Sequence, residues 1–482
     1  MENPQAVNSE SPLYLQIAEQ VIEGIGSGKL RSGERLPGVR PISRAYGVSL
    51  ATAVAAYRYL ERENIIEARP RSGFFVKHRF SESLQQPEQS RPRQWPTPVT
   101  GQQRVMQVIE ASHEPGLLHL GAAVPDPDLL PLKAIQRALA SAARHPLTTR
   151  GGYEFPPGFS GLREPLAARL QQLDCRVSAE EIVVTNGGQE ALMLALRTLC
   201  QPGDIVALES PAFYGLLQII DALGLKALEI PTHPDSGISL DALQLAIEKW
   251  PIKVCVVVSN FSNPLGCVMP DSHKQQLAQM MEKAGIPLIE DDIYGDLSFD
   301  SSRPGTIKRH DVSGNILYCS SFSKTLSPGL RVGWLCPGRY LEAVKYQKFI
   351  HSCASPTVPQ IAAGQLLASG DYDRHIHRMR GELYRSVMRM RERLCHHLPS
   401  GTRITLPKGG FVLWVELPPN VDSLALAQLA LAEGVSIAAG PLFSASEKYR
   451  NFMRISCACP WSDQVELGLA TLGRLARQLC QP

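Results

Sequence analysis

The 482-residue sequence predicts an α/β protein carrying a small helical head, and three observations lead there. From about residue 108, seven short and nearly all-apolar segments alternate with helix-length ones, the pattern of a mostly parallel sheet covered on both faces. Residues 11–79 instead show three helical periods followed by a short hairpin. Between these regions, apolar periodicity stops.

Taken in order, Ser11-Pro12 is a cap and first-turn pair. Ile17, Val21 and Ile25 follow at helical spacing, and Gly26 and Gly28 end the run. A second short helix is expected from about Gly38 to Gly47. Ser49 caps a third, with Val54, Tyr57 and Leu60 on one face. IIEA (65–68), the turn RPRSG (69–73) and FFVK (74–77) form a ribbon, so residues 11–79 read as a winged helix-turn-helix. Residues 80–107 hold four Pro and seven Gln and read as a linker, with roughly 30 Å of average reach if coiled.

Residues 108–482 form the third region. Its strands are EIVVT (181–185), IVALE (205–209), KALEI (226–230), KVCVVV (253–258), IPLIE (286–290), NILYC (315–319) and RVGWL (331–335), a seven-stranded sheet. The tail from 340 is helix-rich with a few strands, such as FVLWVEL (411–417), and forms a smaller α+β lobe.

Composition narrows the class. Apolar residues at 44% and charged residues at 20% exclude wholesale disorder, and no apolar run approaches the ~20 residues that span a bilayer. The N-terminus MENPQAVNSESPLY lacks the basic and apolar regions of a secretory signal. Eleven scattered cysteines have no metal-ligand spacing, so a reduced, cytoplasmic chain with no metal and no membrane partner is expected. The net charge of +3 is uneven: residues 11–79 carry two Lys and nine Arg against six Glu and no Asp, a net +5. A basic head on a mildly acidic body suits a nucleic-acid-binding module joined to something else.

Ligands of open α/β sheets bind beyond the carboxyl ends of the strands, and the residues at those ends converge chemically. They are Gly187-Gly188-Gln189, Pro211-Ala212-Phe213, Asn263, Asp291 with Tyr294, and Ser321-Phe322-Ser323-Lys324 with Arg331. Singly, each has an ordinary structural explanation; together they fit pyridoxal phosphate. Lys324 supplies the amine for a Schiff base. Asp291 keeps the pyridine nitrogen protonated. Asn263 and Tyr294 donate to the phenolic oxygen, and Phe213 covers the ring face. Gly188 and Gln189 open a helix toward the phosphate, which Ser321, Ser323 and Arg331 also bind.

SFSKTLSPGLRVGW and the surrounding residues ~115–480 resemble the fold-type-I aminotransferases of class I, which have the pyridoxal-phosphate-dependent transferase fold. The resemblance implies that Arg454, in NFMRISCA, grips a substrate α-carboxylate. It also implies that Tyr153, in RGGYEFPPGFSGLREPL, reaches a partner subunit's phosphate in a homodimer. Residues 11–79 resemble the GntR family of winged-helix regulators, with LPGVRPISRAYGVSLATAVAAYRYLE matching its helix-turn-helix. Joined, the two halves look like the MocR type of regulator. That resemblance implies a transcriptional regulator that binds a double-stranded operator with two half-sites and senses the cofactor or an amino-compound effector. The alternative is an active aminotransferase with an accessory head.

The sequence departs from these patterns in places. After the cap Ser49 come Leu50 and Ala51, which can touch a thymine methyl but cannot read guanine. Arg40, Thr52, Arg58, Arg69 and Arg71, with Gly73 in the wing, are then the expected DNA contacts. Phe213 stands where tyrosine or tryptophan often stacks on the cofactor, and Ala122-Ala123 where active enzymes often have glycine.

Overall fold

The computed structural model describes residues 12–26, 30, 34–62, 65–69, 73–76, 85–101, 103–111, 114, 116–300 and 302–480. The chain divides into two compact units, Met1–Ser83 and Leu84–Pro482.

In the head, α1 (Leu13–Gly26), α2 (Val39–Ala45) and α3 (Leu50–Arg62) precede a hairpin of β1 (Ile66–Arg69) and β2 (Gly73–Val76). The hairpin pairs antiparallel from Ile66 opposite Val76 to Arg69 opposite Gly73. Residues 34–36 add to its other edge: the Leu36 amide donates to the Phe74 carbonyl, and the Val76 amide to that of Glu34. Ile17, Val21, Ile42, Tyr57, Leu60 and Val76 share one core. On α3 the buried stripe is Ala53, Ala56, Tyr57 and Leu60, so Val54 is replaced there by two alanines. A strict three-residue spacing drifts off a 3.6-residue helix, and alanine lets α1 approach closely. Ser11, Gly28, Arg71 and the Arg69 side chain lie outside the described residues.

The body is built on a nine-stranded sheet. Its path runs Thr97–Pro98, Lys226–His233, Ile205–Ser210, Ile252–Val257, Leu288–Asp291, Ile316–Ser321, Gly333–Cys336 and Val183–Thr185, with Gly237–Ile238 added on Lys226–His233. All seven expected strands are present. The two additional ones, 97–98 and 237–238, are two-residue edge pairings too short to leave a periodicity. Gly333–Cys336 runs antiparallel to both neighbours, which carries its N-terminal end, and hence Arg331, to the carboxyl edge of the parallel strands. A second, antiparallel sheet of Arg403–Ile404, Val412–Glu416, Phe452–Ser456 and Ala438–Ala439 forms the smaller lobe.

The linker expected over 80–107 is largely part of the body. The Ile404 amide donates to the Gln85 carbonyl at 3.1 Å, and the Leu406 amide to Gln86 Oε1 at 3.1 Å. Ser90 exchanges two bonds with Thr232, and Trp95 packs edge-on against Trp250 at 4.8 Å. Thr97–Pro98 pairs with Lys226–Ala227, and Arg104–Ala111 is helical. Polar composition suggested a free coil, but glutamine side chains can bond a strand edge, and proline is tolerated at the rim of a sheet.

Beneath the sheet lies a buried charge network. Asp292 accepts from Arg303 Nη2 at 2.6 Å, Asn260 Nδ2 at 2.9 Å and the Tyr318 hydroxyl at 3.0 Å. Arg303 also bonds Asp296 at 2.7 Å. Burial raises the Asp296 carboxyl, but Arg303 and Arg169 outweigh it and bring it down to about 2. Its stabilising share is therefore complete above the unfolded value of about 3.9 and lost as pH falls toward about 2. Removing one member of such a pair strands a buried charge at a cost of about 3–5 kcal/mol. Arg303→Ala should lower body stability by that amount in urea unfolding. A change under about 1 kcal/mol would show that water reaches Asp292.

Candidate functional site

In the head, the Thr52 amide donates to Ser49 Oγ at 3.1 Å, and the two hydroxyls lie 2.8 Å apart. Ser49 is thus the cap it was expected to be, and the Thr52 hydroxyl is committed to it. Leu50, Ala51 and Arg58 are exposed on α3, as is Arg40 on α2. Gly73 has φ +102°, a backbone conformation that a side chain disfavours, so the wing needs glycine at that position.

In the body, strand ends assemble the second site. Helix Gly188–Leu199 begins two residues after Asn186, and a Cβ on Gly188 would sit 3.6 Å from Ser321 Oγ. Gly187 has φ +84°, and a Cβ on it would lie 2.7 Å from Arg331 Nη2. Arg331, itself left-handed at φ +52°, donates to the Asn186 carbonyl at 2.7 Å. Ser321 Oγ accepts the Ser323 amide at 3.3 Å. The start of this helix, the Ser321 hydroxyl with the Ser323 amide, and a guanidinium therefore share one corner, a suitable cradle for phosphate. Gln189, the second residue of this helix, is exposed. Behind it, Glu190 is held by Lys348 at 2.7 Å and accepts the Asn186 amide.

Lys324 Nζ donates to the Ala123 carbonyl at 2.6 Å. Burial and the nearby Arg454 cation bring its ammonium down to about 8, against the pull of Asp291. Asp291 ends its strand beside a small cavity shared with Phe213 and Asn263. Burial, then Asp292, push its carboxyl up to about 7. Asn263 Oδ1 accepts from Arg454 Nη1 at 3.3 Å, and Asn263 also bonds Tyr294. Arg454 is fully buried; its Nη2 donates to the Gly121 carbonyl, and its Nε has no hydrogen-bond partner among the described residues. Phe443 and Tyr214 rings face its guanidinium at 5.4 and 5.8 Å. A buried guanidinium with an unused N–H beside a lysine amine suits a small carboxylate arriving with an amine.

Lys324 attacks an aldehyde only as the neutral amine, so capture of pyridoxal phosphate should accelerate as pH rises through about 8 and then level off. Stopped-flow absorption from pH 6 to 9.5 checks this. Asp291→Asn removes the anion that favours the ammonium and should move the midpoint downward. A rate still climbing steeply at pH 9.5 would mean that Lys324 is not buried as described.

Of the expected cofactor residues, only Tyr153 lies away from this cluster. It is 74% exposed and packs against Phe155, which packs in turn against Phe349. One residue escaped the sequence reading. Glu209, the penultimate residue of the strand IVALES, lines the same small cavity as Asp291, accepts the Val258 amide at 2.8 Å and leaves Oε1 unpaired among the described residues. Burial pushes its carboxyl up to about 8. A glutamate inside an otherwise apolar strand was the available signal.

These two sites sit in chain segments with known relatives. Residues 13–76 match the family model for bacterial regulatory proteins of the gntR family, and residues 117–472 that for aminotransferase class I and II. The HTH-type transcriptional regulator YjiR of Escherichia coli is 40% identical over 460 residues, covering 95% of this chain and 98% of that protein. YdcR of the same organism, also named an HTH-type transcriptional regulator, is 35% identical over 471 residues, 96% of this chain and 99% of that protein. Among solved structures, LysN of Thermus thermophilus, an α-aminoadipate aminotransferase complexed with N-(5'-phosphopyridoxyl)-L-leucine, superposes with a TM-score of 0.72. It is 27% identical, over 79% of this chain and 95% of that one. A gntR-type head followed by an aminotransferase body, shared almost end to end with proteins named as transcriptional regulators, places this chain in the aminotransferase class I and II family as a DNA-binding regulator of the MocR type.

Proposed function

We propose that the body holds pyridoxal phosphate on Lys324 and reports the cofactor, or an amino compound that reacts with it, to the DNA-binding heads. One observation carries this reading: Lys324, Asp291 and Arg454 meet at the sheet edge where the Gly187-Gly188 turn, Ser321, Ser323 and Arg331 form an anion corner. Pyridoxal phosphate bound there supplies an aldehyde for amines and an electron-withdrawing ring. Around it, Asp291 holds the proton of the ring nitrogen and Phe213 covers one ring face. Asn263 and Tyr294 face the phenolic oxygen, and Arg454 orients an incoming carboxylate. Tyr153, exposed in one subunit, completes the phosphate corner of a second copy in a two-fold dimer.

The test is affinity for genomic DNA fragments, measured on the full chain with cofactor bound, with cofactor removed, and with amino acids added to the bound form. Affinity should change at least tenfold between some pair of these states, and sedimentation should show a dimer. Equal affinity in all three would leave the cofactor without a regulatory role. Retention of both Lys324 and Arg454 also supports the enzymatic alternative. Multiple turnovers of an amino-acid-dependent cofactor conversion would establish it, whereas a single turnover favours sensing.

A further inference from the structure

The first body residues after the head are held down by few contacts. Residues 87–91 border an open cavity of about 310 Å³, walled on the body side by Pro211, Leu265, Trp414, Tyr449 and Phe452. In the run 85–91 only the Pro87 side chain is buried. The side-chain bonds of Gln85 and Gln86 to Arg403, Leu406 and Asp235 are exposed, and the Glu88–Arg403 pair is screened by water. One backbone bond, from the Ile404 amide to the Gln85 carbonyl, adds to them. Segments with little buried apolar contact and exposed hydrogen bonds open locally at low cost. Ser90 is held better. Its amide donates to the Thr232 carbonyl at 3.1 Å, its Oγ accepts the Thr232 amide at 2.8 Å, and its side chain also bonds the Tyr449 hydroxyl.

From Ser90 the bonding runs inward. The Tyr449 hydroxyl lies 2.6 Å from Ser210 Oγ, which donates to the buried Glu229 carboxylate at 2.9 Å. The Ser210 amide donates to Thr232 Oγ1 at 3.0 Å. Ser90 and Ser210 are thus tied to the same two residues, Thr232 and Tyr449. Both Ser210 and Tyr449 belong to segments that build the Lys324 site. Ser210 ends its strand three residues before Phe213. Tyr449 precedes Arg454 by five residues, just ahead of the strand Phe452–Ser456. Tyr449 has φ +62°, a conformation that a bulky residue keeps only where its surroundings impose it. Trp414 and Phe452 pack edge-on to its ring at 5.8 and 5.4 Å, and the hydroxyl bonds fix its far end.

We infer that residues 85–91 are a releasable strap, latched by Ser90 on Thr232 and Tyr449, and that the state of the Lys324 site sets the reach of each head by closing or opening this latch. With the strap docked, residues 77–84 are the tether, at most about 32 Å from Val76 to Gln85. Release extends the tether to residue 94, since Trp95 is packed separately on Trp250, and the span from Val76 to Trp95 reaches about 68 Å. A longer tether lowers the effective concentration of the second head at a close half-site and brings distant ones within reach. A ring resting on Phe213 steadies the 210–213 loop and, through Ser210, the latch. The latch stands on the hydrogen bonds alone; its control by the site rests on the proposed role of Lys324.

Hydrogen exchange of residues 85–91, measured on the full chain with pyridoxal phosphate bound and removed, tests the inference. Exchange should be about tenfold faster or more without the cofactor. Tyr449→Phe removes one hydroxyl and Ser90→Ala the side-chain half of the latch. Each should make exchange fast in both states, while borohydride still fixes cofactor on Lys324 at the wild-type level. Band shifts over operators with stepped half-site spacings complete the test. The cofactor-bound wild type should accept a narrow range of spacings, and the cofactor-free wild type and both variants a wider one. Wild-type exchange that is equal or slower without cofactor, or exchange in both variants as slow as in the wild type, would overturn the latch. A DNA response to the cofactor that both variants keep in full would overturn the strap as its route and leave the sensing reading intact. Strap exchange that follows the cofactor with no DNA response would instead overturn the sensing reading and the control of reach, while the latch itself stands.

Discussion

Lys324→Ala should leave no covalent cofactor on the protein after borohydride reduction, where the wild type keeps about one equivalent on Lys324. The amine is held at 2.6 Å from the Ala123 carbonyl, between Arg454 and Asp291, and the described site offers no second lysine with those neighbours. Non-covalent contacts survive in the variant, since the Gly187-Gly188 corner and Arg331 are untouched, so weak, dialysable binding is expected. Peptide mapping of the reduced wild type is the decisive measurement. An adduct on Lys274 or Lys348, both buried and paired elsewhere, would overturn the site assignment. Because the variant empties the position proposed to sense amines, its DNA affinity should equal that of the cofactor-free wild type whatever amino acid is added.

The full chain should hold a DNA carrying two half-sites about 10²–10⁴-fold more tightly than the isolated head holds one, because a dimer converts the second contact into an intramolecular one. A head of net +5 neutralises few phosphates, and with a salt slope of about −0.9 per phosphate it binds weakly alone at physiological salt. The docking of Gln85–Thr100 on the body alters the spacing expectation. Only the eight residues 77–84 separate Val76 of the wing from Gln85, a span of at most about 32 Å. A 28-residue coil would have tolerated half-site spacings well beyond one helical turn; with this anchoring, tolerance should be confined to a narrow range. Band-shift titrations over operators with stepped spacings measure it. Arg69 and Arg71 to Ala should weaken all sequences alike and flatten the salt slope. Leu50 and Ala51, exposed at the start of α3, should govern which bases are preferred. Equal affinity of the head for one half-site and of the full chain for two would remove the cooperative argument.

The seven sheet strands, the winged head and the gathering of polar residues at one sheet edge were legible in the sequence because their cues are local. A strand buried on both faces must be apolar along its length, a helix opening toward phosphate needs glycine at its start, and a cap such as Ser49 is fixed by its immediate neighbours. The residues Lys324, Asp291, Asn263 and Arg331 are far apart in the chain, yet each follows or precedes a strand, and strand direction alone sends them to one edge. What tertiary structure decided depends on which face a residue takes and which segment comes to lie on it. Glu290-Asp291-Asp292 is one run of carboxylates in sequence. The pleat sends Asp291 to the side of Lys324 and the other two into a network with Arg303, Lys308 and Ser259. Glu209 became part of the site only because its strand lies near Asp291. The Pro- and Gln-rich segment carries no apolar period, so sequence left it unattached, whereas strand edges at 226–227 and 404–406 supplied the hydrogen-bond partners that hold it. Local pattern determined which elements exist and which edge binds; long-range packing, through burial and pairing of polar groups, determined what each charged residue does.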